Sequence, residues 1–119
     1  MNCMDTYALI EIAKGNPTYA RLFEEDFVIT DTTLAEFCWV LLRDYDEEEA
    51  DAWTNKLAPY SKEAKKEILL EAMKYRFANR KENLSFFDCA GYVFARAHGF
   101  TFVTGDQAFK NKKDVLFIK

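Results

Sequence analysis

Histidine is almost missing from these 119 residues: His98 is the only one, beside three cysteines, four glycines and two prolines. A single histidine leaves a His/Cys zinc site short of ligands and gives any Ser-His-Asp triad only one possible base. Cys3, Cys38 and Cys89 are odd in number, far apart and set in apolar segments, the usage of reduced core thiols rather than of a disulfide frame. Cys89 and His98 cannot pair along one helix, because the rise of ~1.5 Å per residue sets them about 13 Å apart. Thiol catalysis is therefore disfavoured, and His98 before Gly99 reads as a helix end, with the imidazole near the last carbonyls. The scarcity of Gly and Pro, with no low-complexity stretch, Gly/Ser linker or fixed-period repeat, argues against disorder and for one domain over residues 1–119. The opening MNCMDTYALIEIAKG lacks a basic flank and carries Asp5 and Glu11, so it reads as neither signal peptide nor membrane span, and a cytoplasmic location is expected.

What the chain does have is apolar bulk. Half of it is hydrophobic, with eleven Phe, six Tyr and two Trp, enough for a compact core. Residues 1–4 make a very short strand at best. A helix follows, with Ala8, Leu9, Ile12 and Ala13 on one face and Gly15 as its stop. Asn16 and Pro17 open a second helix bearing Tyr19, Ala20, Leu22 and Phe23. The run FVIT at 27–30 has strand composition. Helices are expected from Thr33 to about Asp44, from Asp46 to Leu57, and again after Pro59 and Ser61, where Ala64, Ile68, Ala72 and Leu69, Met73 form adjoining stripes. Ser85 opens a helix that is apolar nearly all round and so should be buried. Gly99 ends it, FTFVT is a strand, 105–110 a helical turn and 115–118 a last strand. Between 33 and 99 no strand is evident. Strands alternating with helices and no hairpin signal predict an α/β fold with a parallel sheet covered on both faces.

On that path four acids share one edge. Asp5 follows the first strand, Glu36 lies in the first turn of the helix after the second, Asp106 follows the third, and Asp88 lies in the first turn of the buried helix. Open parallel sheets bind ligands outside the carboxyl ends of their strands. Each acid also has a capping explanation. Thr33-Leu34-Ala35-Glu36 and Ser85-Phe86-Phe87-Asp88 match a capping box, and Asp5 and Asp106 stand before helical turns. Taken singly the two readings are balanced. Together, four acids at one edge favour a common site, and Asp88 between Phe87 and Cys89 calls for a cation or donors.

The stretches DTYALIEIA at 5–13, TTLAEF at 32–37, LSFFDCAGYVFARAHG at 84–99 and FVTGDQAF at 102–109 resemble the four acidic blocks of the PIN domain, in order and at fitting separations. The resemblance spans nearly the whole chain and implies a three-layer α/β/α fold with a central parallel sheet of four to five strands. The small form is similar to the VapC-type toxins of toxin-antitoxin pairs, which in that family are magnesium- or manganese-dependent ribonucleases held inactive by an antitoxin. The resemblance implies that Asp5, Glu36, Asp88 and Asp106 are the metal-site and catalytic acids, that Thr6 and Thr104 are supporting hydroxyls, and that cleavage leaves a 5′-phosphate and a 3′-hydroxyl. Two features depart from the pattern: Asn2 and Cys3 occupy a strand usually apolar, and position 110, acidic in some members, is Lys110. Acids without His or Cys suit Mg2+ or Mn2+, hard cations that prefer oxygen ligands.

A net charge of −4 is awkward for a protein that would bind RNA. Lys74, Arg76, Arg80 and Lys81, with Lys110, Lys112 and Lys113, could grip phosphates, against the plainer reading of solvated surface. Trp39, Trp53, Phe37, Leu41 and Leu42 are either core or the lining of a groove for an antitoxin helix or a homodimer face. The alternatives are a catalytically silent PIN-like binding module and a housekeeping RNA-processing nuclease. A phosphoacceptor receiver domain is disfavoured for want of strands in the middle of the chain.

Overall fold

The computed structural model describes residues 1–119. In chain order the elements are β1 (Asn2–Met4), α1 (Thr6–Ala13), α2 (Pro17–Glu24), β2 (Phe27–Thr30), α3 (Asp31–Asp44), α4 (Glu47–Leu57), β3 (Ser61–Lys62), α5 (Lys66–Ala78), α6 (Phe86–Ala97), β4 (Thr101–Thr104) and β5 (Val115–Phe117). Tight 3-10 turns occupy Ala58–Tyr60, Arg80–Glu82 and Gln107–Phe109. All five strands run parallel in the order β3-β2-β1-β4-β5.

The strands are short, yet each residue has a face. Met4, Phe27, Ile29 and Val103 enter the core beneath α1 to α4, while Cys3, Val28 and Phe102 enter the core beneath α5 and α6. This is the period-2 alternation of a sheet buried on both sides, and it makes the fold the expected three-layer α/β/α sandwich. Cys3 and Cys89 are buried and all three thiols are free, so they pack as the sequence suggested. Nδ1 of His98 lies 2.9 Å from the Phe94 carbonyl at the end of α6, which places the ring proton on that nitrogen.

Three local expectations change. Ser61 and Lys62 pair with Ile29 and Thr30, so a strand does exist between 33 and 99; two polar residues carry no periodicity to betray it. That pairing, with the Asp31 carboxylate accepting the Ala64 amide at 3.0 Å, delays α5 to Lys66 rather than letting it start after Ser61. The helix α3 begins at Asp31, capped by Thr30, whose hydroxyl accepts the Thr33 amide at 3.1 Å. Glu36 is thus in the second turn, and its capping-box reading is removed.

No helix is long and apolar enough to cross a membrane. Core packing also fixes the loop after β4. A Cβ added at Gly105 would fall 2.1 Å from Tyr7 Cε1 on α1, so the Thr104–Asp106 backbone can lie against Tyr7 only with glycine there. Gly105→Ala should displace Tyr7 and cost about 1–3 kcal/mol, read as a lowered midpoint in urea unfolding; an unchanged midpoint would show that Tyr7 moves aside freely.

Candidate active site

With strand order 3-2-1-4-5, the chain turns outward in opposite directions from β1 and β4, and their carboxyl ends flank the topological switch point. A cleft of about 490 Å³ opens there. Its walls include Asp5, Thr6, Tyr7, Glu36, Ser85, Asp88, Gly105, Asp106, Gln107 and Lys119. All four acids singled out in the sequence therefore reach one cleft, each from a different element.

Asp5 is the most constrained. Its amide donates to the Val103 carbonyl at 3.1 Å, extending the β1–β4 pairing by one residue, and its Oδ1 accepts the Ala8 amide at 2.9 Å as the N-cap of α1. The residue is 1 % exposed, and Oδ2 has no hydrogen-bond partner. Glu36, one turn into α3, accepts a hydrogen bond from the Thr6 hydroxyl, tying α3 to the start of α1. Asp88 stands in the first turn of α6, where Ser85 caps the helix by accepting the Asp88 amide at 3.1 Å. Asp106 caps the 3-10 turn after β4: Oδ1 accepts the Ala108 amide, and its own amide donates to the Thr104 hydroxyl, both at 3.0 Å. Thr6 and Thr104 thus each hold an acid. Capping and cleft lining prove compatible, because a cap occupies only one carboxylate oxygen.

The carboxylates repel one another. Burial, reinforced by the charges of Asp88 and Asp106, pushes Asp5 up to about 8, against the smaller opposing pull of the Thr104 hydroxyl and the Ala8 amide. Asp88 rises to about 7, first from burial, then from Glu36 and Asp106, and from the hydrogen bond a protonated Asp88 gives Asp106. The acids face the cleft from separate walls, and no three His, Cys, Asp or Glu side chains are gathered closely enough to chelate an ion among themselves.

The basic residues singled out in the sequence stay outside the cleft. Lys112 is held by Glu82 at 2.8 Å and lies over the Tyr75 and Phe109 rings. Lys74 pairs with Glu71 at 3.7 Å. Lys110 lies over the Phe117 ring, and the Lys113 carbonyl accepts the Tyr92 hydroxyl. Arg76, Arg80 and Lys81 surround two neighbouring hollows at the end of α5. Lys119, which sequence reading passed over, is a residue of the cleft wall. The rule that gathered the acids could have found it, since it follows β5 at the same sheet edge. Of the aromatic cluster, Phe37 and Leu41 are buried and Trp53 packs edge-on against Phe37, whereas Trp39 is 60 % exposed and Leu42 is also exposed.

The raised acids give a signed pH dependence. Asp5 and Asp88 bind protons more tightly in the folded chain than their ordinary value of 3.8 allows. Between about pH 4 and pH 8 the folded state therefore carries more protons than the unfolded one, and stability falls as pH rises. Asp5→Asn keeps the cap and removes the charge. In chelator it should flatten that decline and gain about 1–3 kcal/mol over wild type at pH 9, measured by urea unfolding; parallel pH profiles for the two proteins would contradict a protonated Asp5.

A family model for the PIN domain matches residues 3–115. A search of curated proteins finds no match. Among solved structures, the chain resembles a toxin-antitoxin complex from Klebsiella pneumoniae (16 % identity, 98 % of this chain and 96 % of that one, TM-score 0.75). It also resembles VapC20 of Mycobacterium tuberculosis, described as a sarcin-ricin loop cleaving toxin (14 %, 85 % of each chain, TM-score 0.76). A third likeness is DNA-bound VapBC from Salmonella typhimurium (13 %, 98 % and 96 %, TM-score 0.77). At these identities the likeness to the solved structures is one of fold. The family match covers nearly all of the chain, from the second residue of β1 to the first of β5, and the chain belongs to the PIN domain family.

Proposed function

We propose that this protein is a metal-dependent endoribonuclease, the toxin component of a toxin-antitoxin pair, with Asp5, Glu36, Asp88 and Asp106 as its metal-binding and catalytic acids. The observation that carries this reading is Asp5: buried, anchored through one oxygen, its second oxygen without a hydrogen-bond partner, on the wall of a cleft shared by three more carboxylates. A buried ionised carboxylate in such company needs a cation. The donor set is all oxygen, which fits Mg2+ or Mn2+ and not zinc. The lack of a closed trio of carboxylates is consistent with magnesium, which is commonly held by one or two carboxylates while waters and substrate phosphate complete its shell.

When bound, such an ion supplies an activated water and neutralises charge on the phosphate under attack. The chain's own contribution is positioning. Thr6 holds Glu36, the Thr104 hydroxyl holds the Asp106 amide, and the β1–β4 pairing fixes the backbone of Asp5. In the metal-free chain Asp88 holds a proton near pH 7, which a bound ion would displace.

The toxin assignment draws support from the fold shared with chains solved as toxin-antitoxin complexes. An antitoxin segment would cover exposed apolar groups such as Trp39 and Leu42 and could place an Arg or Lys against the acids. Co-expression with a neighbour-encoded partner should then relieve growth inhibition by this chain; a protein harmless in its host, with no such partner co-purifying, would favour a housekeeping nuclease or a silent binding module.

Asp106→Asn tests the chemistry. Asn caps about as well as Asp, so the fold and thermal midpoint should persist, while RNA cleavage at limiting Mg2+ or Mn2+ falls by about 100-fold or more. Full cleavage by the folded variant would confine Asp106 to capping. Addition of Mn2+ to wild type should raise the melting temperature more at pH 8.5 than at pH 6, because binding must displace protons from Asp5 and Asp88; equal shifts at the two pH values would argue against those acids as ligands.

A further inference from the structure

A second hollow of about 390 Å³ opens beside the acidic cleft, lined by Met73, Arg76, Phe77, Arg80, Asn83 and Leu84. The two share a wall: Leu84 lines the hollow and the next residue, Ser85, lines the cleft and caps the helix that carries Asp88. Its charge is opposite to that of the cleft. Two arginines and no acid line it, and neither Arg76 nor Arg80 forms a salt bridge, in contrast to Arg43, Lys74, Arg96 and Lys112.

The arginines are nonetheless placed. Arg76 Nε donates to the Leu84 carbonyl at 2.9 Å, which fixes its plane against the shared wall and leaves its terminal nitrogens without protein partners. Arg80 Nη1 donates to the Phe77 carbonyl at 3.0 Å, and its guanidinium lies 4.5 Å from the Phe77 ring centroid. Phe77 is 68 % exposed, the most exposed large hydrophobic side chain in the protein. An exposed aromatic ring beside two unpaired guanidinium groups is how single-stranded nucleic acid is held: the ring stacks a base, and the cations take the phosphates.

We propose that this hollow is a nucleotide subsite that binds the single-stranded RNA segment adjoining the scissile phosphate, with Phe77 stacking a base and Arg76 and Arg80 contacting the backbone. It rests on the nuclease reading for the identity of its ligand. The occupant is RNA rather than a protein helix because the lining pairs its apolar surface with uncompensated positive charge, in a chain whose net charge is −4.

The test is RNA binding without metal, so that it does not depend on cleavage. A fluorescent single-stranded RNA of about 12 nucleotides is titrated with the full chain in chelator over a salt series. Phe77→Leu should weaken binding about 5- to 100-fold with little change in salt slope, and Phe77→Tyr should restore it. Arg80→Gln should weaken binding and reduce the salt slope by about 0.7. Thermal melts of these surface variants confirm the fold. Wild-type affinity and slope in both Phe77→Leu and Arg80→Gln would overturn the subsite, as would loss of a co-purifying protein partner with RNA binding untouched. RNA binding that depends on Phe77 and Arg80, in a protein that cuts nothing with Mg2+ or Mn2+, would uphold the subsite and sink the nuclease reading.

Discussion

Carboxylates that share one cleft at the end of a sheet, two of them held largely out of solvent, govern much of this molecule. Asp5 cannot retreat: its amide belongs to the sheet, one of its oxygens belongs to the helix that follows, and the residue is almost wholly buried. Charge placed there is costly until a proton or a cation compensates it. The raised proton affinities of Asp5 and Asp88 express that cost, and a metal-free chain meets it by holding protons near neutral pH. The fold tolerates a destabilised cleft because most of both hydrophobic layers lies away from it, with Tyr7 and Ile10 at the boundary.

The same backbone that creates the strain also aims it. At Asp5 and at Asp106, capping consumes Oδ1 and leaves the second oxygen out of the cap, on residues that line the cleft. Ser85 does the equivalent for Asp88 by capping α6 through the Asp88 amide, so the cap makes no use of the carboxylate as acceptor. Glu36 has no cap to fix it, and the Thr6 hydroxyl serves instead. Four carboxylates from four elements are thus positioned by local hydrogen bonds of ordinary type, and the convergence comes from the strand order alone.

This explains why so much of the site could be read from the sequence. The rule that binding occurs at the carboxyl ends of parallel strands needs only strand positions, and FVIT and FTFVT declare themselves by composition. What escaped was set by tertiary pairing. Ser61 and Lys62 become a strand because β2 and the Asp31 carboxylate receive them, and nothing in those two residues announces it. The start of α3 moved to Asp31 because Thr30 and Thr33 compete as caps, and local sequence favours the later one through Glu36. Lys119 stands alone after β5 rather than in a basic cluster, and only the sheet order brings it to the cleft wall.

The net charge then ceases to be an objection to an anionic ligand. Four of the acids that make the chain negative are in the cleft, where bound divalent ions would offset them, so the relevant field is the one left after that compensation. Much of the remaining acid lies in the Asp44–Asp51 run at the start of α4. At the end of α5, Arg76 and Arg80 line a hollow that contains no acid, and neither forms a salt bridge. The screening length of about 8 Å at physiological salt makes such local charge, not the total of −4, the field that an anionic ligand would experience.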